Sequence, residues 1–266
     1  MPKSDDSVAE PTRKYAAPAL EKGLDILELL ATEEFGLSQT EIARHLDRSV
    51  SEIFRMLVVL QERNYVVLDP LTDRYALTTL LFEIAHRTPP IRRLTMLAGP
   101  VMQRLAREVN QSCHLAILSS DGVLVIGQVN GPGNSVMSVR LGAKIELWRA
   151  SSARVILAFQ PAEVLADCFA RVPLPETITS GELHADLEKI RRAGHEVRDS
   201  YVVRGIVNIS APVFDHSGLA VAALTIPHME RYGDPVTFDT CRQAVIMAAA
   251  AMSRGLGGGV VTQEPA

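Results

Sequence analysis

The chain has 266 residues, 47% of them hydrophobic and 22% charged, with a formal net charge of −4. This is the composition of a globular protein long enough for two domains, and it excludes a disordered chain or a polycation that coats nucleic acid. Cys113, Cys168 and Cys241 are an odd, widely spaced set without disulfide or metal-ligand spacing, so a reduced, cytoplasmic protein is expected. No run approaches the roughly 18 apolar residues of a membrane span, and the N-terminus carries no apolar signal core.

Residues 1–18, with Pro2, Pro11 and Pro18 among charges, read as a mobile tail. A first helix is predicted over 19–31, with Leu20, Leu24, Leu27 and Leu29 or Leu30 toward a core. A short helix over 38–46 carries Ile42, Ala43 and Leu46 on one face, and a longer one from Ser49 buries Ile53, Met56, Leu57 and Leu60. Both open with a capping box, Ser38-x-x-Glu41 and Ser49-x-x-Glu52, in which hydroxyl and carboxylate each satisfy an orphan backbone donor. Asp47 stands in the turn between them, where positive φ is usual and Asp tolerates it. Residues 65–68 and 74–77, joined across Asp69-Pro70 and Asp73, make a hairpin wing. A helix-turn-helix with a wing reads duplex DNA through its second helix.

The expected DNA contacts are Ser38, Gln39 and Thr40 at the start of the first helix, Arg48, Ser49, Ser51, Glu52 and Arg55 around the second, and Arg74 on the wing. Glu52 could accept from a cytosine amino group, but the cap is the favoured reading. Residues 41–75 hold five arginines against six acids, so binding should be modest and salt-sensitive. Such a module could also serve protein interaction alone.

A connecting helix is predicted over 77–86, a junction at Thr88-Pro89-Pro90, and a helix over 91–109. Strands follow at 113–118, 123–128 and 135–141, then helices at 151–159, 161–170 and 180–193, the last stopped by Gly194. Strands return at 196–202, 206–214 and 219–226, the latter two joined by the turn Asp215-His216-Ser217-Gly218, and a final helix spans 235–255. Residues 256–266 read as a second tail. The order predicts an α+β fold with an antiparallel sheet, the shape of a small-molecule sensor.

Enzyme readings lack chemistry. Ser151-x-x-Arg154 imitates an acyl-serine motif, but Arg cannot act as a base. There is no nucleophile elbow, zinc-binding helix or phosphate loop, and neither a cofactor nor a metal is expected. Cys113 and His114 are neighbours on a strand and point to opposite faces.

Together, Leu20-Glu21-Lys22-Gly23-Leu24-Asp25-Ile26-Leu27, the helix-turn-helix with Ile53-Phe54-Arg55-Met56-Leu57, the wing Asp73-Arg74-Tyr75 and the later Gly205-Ile206-Val207-Asn208-Ile209-Ser210-Ala211-Pro212-Val213 resemble the IclR family of bacterial transcriptional regulators, over roughly residues 19–254. The resemblance implies a winged helix-turn-helix domain (19–77), a connecting helix and junction (78–90) and a GAF-like effector domain (91–255). It also implies dimers that often pair into tetramers, operator DNA as partner, and a small organic acid as effector.

The family loop of the form Leu-His-x-Thr-Ala-x-Gly-Lys is similar to Leu147-Trp148-Arg149-Ala150-Ser151-Ser152-Ala153-Arg154 here. The backbone N–H groups of Ser151, Ser152 and Ala153 could still hold a carboxylate at a helix start, walled by Trp148 and Arg149. The resemblance carries over Met137, Asp199, Ile206, Asn208 and Thr225 as pocket members. Asn208 and Ser210 share the strand face opposite Val207, Ile209, Ala211 and Val213; such a polar pair ordinarily meets solvent, but the family folds that face over a pocket. Pro227 stands where the family often has a hydroxyl. The reading is a ligand-responsive regulator, more often a repressor. A metabolic enzyme with a residual DNA domain and a ligand-independent DNA binder are the alternatives.

Overall fold

The computed structural model describes residues 17–87, 89–233 and 235–259. The chain divides between Thr88 and Pro89 into two compact units. Residues 1–16 and 260–266 of the two expected tails lie outside the described residues.

The first unit runs α1 (Pro18–Leu30), α2 (Gln39–His45), α3 (Val50–Glu62), β1 (Val66–Asp69), β2 (Arg74–Leu77) and α4 (Leu80–Arg87). Both capping boxes form: Ser38 Oγ accepts from Glu41 N at 3.3 Å while Ser38 N donates to Glu41 at 2.8 Å, and Ser49 and Glu52 repeat the exchange. Asp47 takes φ 50° in the turn. Gly36 has φ 65°, and a Cβ there would lie 2.4 Å from Tyr75 O, so only glycine lets Leu37 and Tyr75 exchange backbone hydrogen bonds at 2.8 and 3.0 Å. Ile26, Leu30, Ile42, Ile53, Leu57, Val66 and Tyr75 close the core.

Two expected core residues are outside it. Leu20 and Leu24 are 62% and 47% exposed, because the inward stripe of α1 is Ile26 and Leu30. The step from Leu24 to Ile26 turns about 200° around the helix, so one set faces in only if the other faces out. Pro18, assigned to a tail, is the first residue of α1, where its missing N–H costs nothing.

The second unit holds α5 (Pro89–Val109), β3 (Cys113–Leu118), β4 (Gly122–Val129), β5 (Lys144–Glu146), α6 (Ser151–Ala158), α7 (Ala162–Arg171), α8 (Ser180–Ala193), β6 (Glu196–Asp199), β7 (Ile206–Phe214), β8 (Ala220–Met229) and α9 (Phe238–Gly255). Its sheet is antiparallel in the order β5-β4-β3-β8-β7-β6. One face packs on α5 and α9 through Leu115, Ile209, Leu224 and Ile226; the other packs on α6, α7 and α8 through Ala116, Ala223 and Phe214. Alternation allots residues to the two cores except at the β7–β8 bulge, where Val221 and Ala222 both face the α5 and α9 side.

The strand expected over 135–141 does not form. Gly142, at φ 79°, turns the chain so that Gly142 N donates to Val125 O and Val125 N to Ala143 O, and Lys144–Glu146 takes the edge beside β4 instead. The expected C-terminal tail is ordered at its start: Leu256 is buried, Gly257 bridges Asp215, and Gly258 N donates to Ser253 O at 2.8 Å. A Cβ on Gly258 would meet Phe214 O at 2.6 Å, which explains glycine there. Among the described residues no helix is long and apolar enough to cross a membrane.

Candidate functional site

The surface of α3 is fixed by the residues that hold its neighbours. Glu52 bonds Ser49 N, Ser49 Oγ and Lys22 Nζ of α1. The Lys22 bond and then the Ser49 bonds pull its carboxyl down to about 2. Its remaining capacity for a cytosine is small, and the structure shows Glu52 as the capping residue that the sequence favoured, with Lys22 added as a clamp. Arg74, expected on the phosphates, here turns its guanidinium in from the wing, donating to Gly36 O at 2.8 Å and Glu41 Oε1 at 3.1 Å. The cause is proximity, since β2 runs beside the segment that opens α2. Gln39 Nε2 donates to Val50 O at 3.0 Å and braces α2 against α3, Ser38 and Ser49 serve as caps, and Arg48 lies 3.6 Å from Asp25.

Thr40, Ser51 and Arg55 remain outward-facing. Between them the structure exposes two apolar side chains that sequence reasoning missed, Val50 at 45% and Phe54 at 50%. The signal was available: Val50 and Phe54 are one turn apart and flank Ser51 and Arg55 on the same surface. At the wing tip Asp69 accepts from Leu71 N and Thr72 Oγ1, and Leu71 stands free of packing.

The ligand-facing candidate lies where α6 crosses the sheet. Arg154 of α6 donates Nε to Glu196 at 2.8 Å and a terminal nitrogen to Asp186 at 2.7 Å, while Phe159 beyond the helix meets Phe214 edge-on. The C-terminal end of α6 therefore lies over the β7–β8 turn and its N-terminal end over the opposite half of the sheet. In register across four strands beneath it stand His114, Thr225, Ser210 and Glu196. Ser210 is wholly buried and shares a 2.8 Å hydrogen bond with Thr225. The polar face of β7 is thus covered, as the resemblance implied, rather than wet.

Three buried atoms of this region find no hydrogen-bond partner among the described residues: Ser151 Oγ, His114 Nδ1 and Glu196 Oε2. Such atoms are few in native proteins, and each has capacity for a water or a ligand group. Burial holds the His114 imidazole down at about 4, so it is neutral at pH 7. His114 and Glu196 were absent from the expected pocket, although His114 lies in the same cross-strand row as Thr225. The N-cap of α6 is Ala150, which has no side chain to close the first turn above Ser151 and Ser152.

Other expected members divide. Asn208 and Ile206 share the Ser210 face, half-buried and buried. Asp199 does not: it pairs with Val207 and is exposed on the α9 side, because alternation gives the α6 face to Glu196 and Arg198. Trp148, expected at the wall or mouth, is an interior residue; its indole donates to Val172 O at 3.1 Å and stacks on Phe169 at 4.8 Å. Arg149 is half-buried and held by Glu146 and Thr177. Tyr201, from the β6–β7 loop, reaches Glu146 and Arg149, its phenol pushed up chiefly by burial. Met137 is half-buried in the irregular 135–141 segment.

Two cavities open elsewhere in this unit. One of about 480 Å³ lies on the α9 side between Val207, His228 and Phe238. The other, of about 620 Å³, lies between the start of α5, the β7–β8 turn and Leu256. Neither is lined by an expected effector residue or by one of the three unpartnered atoms.

A winged helix-turn-helix joined in one chain to a two-faced antiparallel sheet domain defines a DNA-binding transcriptional regulator. The chain belongs to the IclR family: residues 19–70 match the IclR helix-turn-helix domain and residues 91–254 match the bacterial transcriptional regulator IclR C-terminal domain. It is similar to the HTH-type transcriptional repressor AllR of Klebsiella pneumoniae, with 28% identity over 222 residues, 82% of each chain. The crystal structure of Thermotoga maritima IclR superposes with a TM-score of 0.70 at 28% identity, covering 90% of this chain and 98% of that one. An IclR homolog of Microbacterium hydrocarbonoxydans, complexed with 4-hydroxybenzoate, shares the fold at a TM-score of 0.76 and 21% identity, with 90% of this chain and 98% of that one covered.

Proposed function

We propose that the protein is a cytoplasmic repressor without enzymatic activity that leaves its operator when a small organic acid binds under the N-terminal end of α6. The observation that carries the ligand site is the unpartnered Ser151 Oγ, buried beside an uncapped helix start. A carboxylate there gains about 0.3–1 kcal/mol from the helix dipole beyond its hydrogen bonds. Ser151, Ser152 and Ala153 form the roof, and Ile206, Asn208, Ser210 and Thr225 the floor. His114 and Glu196 add open acceptors, which favour an acid that also carries an O–H or N–H donor. The 4-hydroxybenzoate bound by the Microbacterium homolog has that chemistry. The domain limits follow this division: residues 19–77 for DNA, 78–90 as connector, 91–255 for the ligand.

On the DNA side α3 is the reader, with Ser51 and Arg55 toward base edges and phosphates and Thr40 beside them. The working form is a homodimer or tetramer, supported by the exposed apolar residues Leu20 and Leu24 on α1 and Leu81, Phe82 and Ile84 on α4. The test is a titration of the full-length protein on its operator with benzoate, 4-hydroxybenzoate, 4-aminobenzoate, pyruvate and oxamate, reading thermal stability and operator affinity. An acid that raises the melting temperature and lowers operator affinity in the wild type, and does neither in Ser151→Val, is expected. Release of the operator by a compound to which Ser151→Val and Thr225→Val respond as the wild type does would place the sensor elsewhere.

A further inference from the structure

The reader helix presents an unusual balance of groups. Its acid is spent on Ser49 and Lys22, the neighbouring Gln39 on the Val50 carbonyl, and the wing arginine on Glu41 and Gly36. What the N-terminal half of α3 still offers outward is Ser51 and Arg55 on one ridge and, on the ridge beside it, Val50 and Phe54. Two large apolar side chains one turn apart, half in water, form a patch in the middle of a surface meant for a polyanion. The charged phosphates have nothing to put against them. The major groove has one apolar group, the C5-methyl of thymine, and Phe is among the side chains that pack on it.

We propose, on the reading that α3 is the reader helix, that Val50 and Phe54 read thymine methyl groups and that this apolar contact is a main source of operator choice. Charge supports the assignment. With acids matching arginines across residues 41–75, phosphate attraction is weak, and a larger share of affinity falls to base-edge contacts. Burying one methyl group is worth roughly a fourfold change in affinity.

The experiment uses the full-length protein. Duplexes are enriched on it from a randomised pool, and each thymine of the tightest duplex is then replaced singly by deoxyuridine, which removes the methyl group and nothing else. One or two thymines in each half-site should lose about fourfold in affinity on this exchange. Phe54→Ala should bind the thymine and uracil duplexes equally at one such position and Val50→Ala at the other, while Phe54→Leu keeps part of the difference. Both side chains are half-exposed, so circular dichroism and melting should show the variants folded.

No loss on any uracil exchange, or a loss that persists undiminished in both alanine variants, overturns the proposal. A Phe54→Ala protein that changes oligomeric state and still distinguishes thymine from uracil assigns the patch to a protein contact and also overturns it. The underlying reading fails separately: Ser51→Ala and Arg55→Ala proteins that enrich the same duplex with unchanged affinity would show that another element reads the DNA. Failure to enrich any duplex would remove both.

Discussion

The two units treat their polar groups in opposite ways. In the first, side chains around α3 are exposed yet nearly all matched, in capping boxes and in the Lys22–Glu52 and Arg74–Glu41 pairs, so the surface left for DNA is what the clamps do not use. In the second, polar groups are buried yet some are unmatched, and those few atoms are the ones the proposed ligand would satisfy. Partnership separates scaffold from site in both, but the first unit shows its site as leftover surface and the second as leftover hydrogen-bonding capacity. Each can be probed by removing matched and unmatched groups in turn.

The largest effect is expected from Arg154→Ala, which takes the hydrogen-bonded cation from the buried Glu196 carboxylate and leaves it only the more distant, half-exposed Arg198 at 3.8 Å. Breaking one side of such a pair costs about 3–5 kcal/mol, to be read from urea unfolding of the full chain. A loss under 1 kcal/mol would mean that Glu196 is solvated and the region is not the dry site described.

Next comes pH. The folded His114 titrates near 4 against an ordinary 6.5, so between these values the unfolded chain binds a proton that the folded chain does not. Stability is therefore full above pH 6.5 and falls by about 3 kcal/mol as the pH drops to 4. His114→Leu should flatten that segment of the stability profile, and an unaltered slope would show that another group carries it. A carboxylic ligand held beside the unpartnered atoms should raise the profile at pH 7 in the wild type.

Smaller effects belong to the first unit. Ser49→Ala removes one half of a capping box and should cost about 1 kcal/mol. Arg74→Ala should cost less than about 1 kcal/mol, since its ion pair is half-exposed. Because Arg74 faces Glu41 rather than a phosphate, the log–log salt slope of operator binding should move by well under one unit. A full-unit change would return Arg74 to the DNA surface.

These contrasts follow what was legible in the chain. Ser38, Ser49 and Gly194 were readable because caps are local: the partner lies three or four residues away. The strand faces of β7 were readable because alternation needs no partner at all. Arg74, Leu24 and Trp148 were not, because their roles depend on Glu41, on which face of α1 meets α3, and on a carbonyl at Val172. The 135–141 segment has a strand's pattern but loses its place to Lys144–Glu146, a competition decided by the turn at Gly142. For the ligand site the chain disclosed Ser151 and Ser210 but not Glu196, which comes to them only through the pairing of β6 with β7.

The bridge between Gly257 and Asp215 has a practical side. It stitches the end of the last helix to the tip of the β7–β8 hairpin, with Leu256 tucked beneath. A chain that keeps residues 256–259 retains that stitch, whereas a chain cut at Gly255 frees the hairpin tip to fray and offers it to proteases. Limited digestion should therefore nick the shortened protein first near Ser217, in a loop that the longer chain protects.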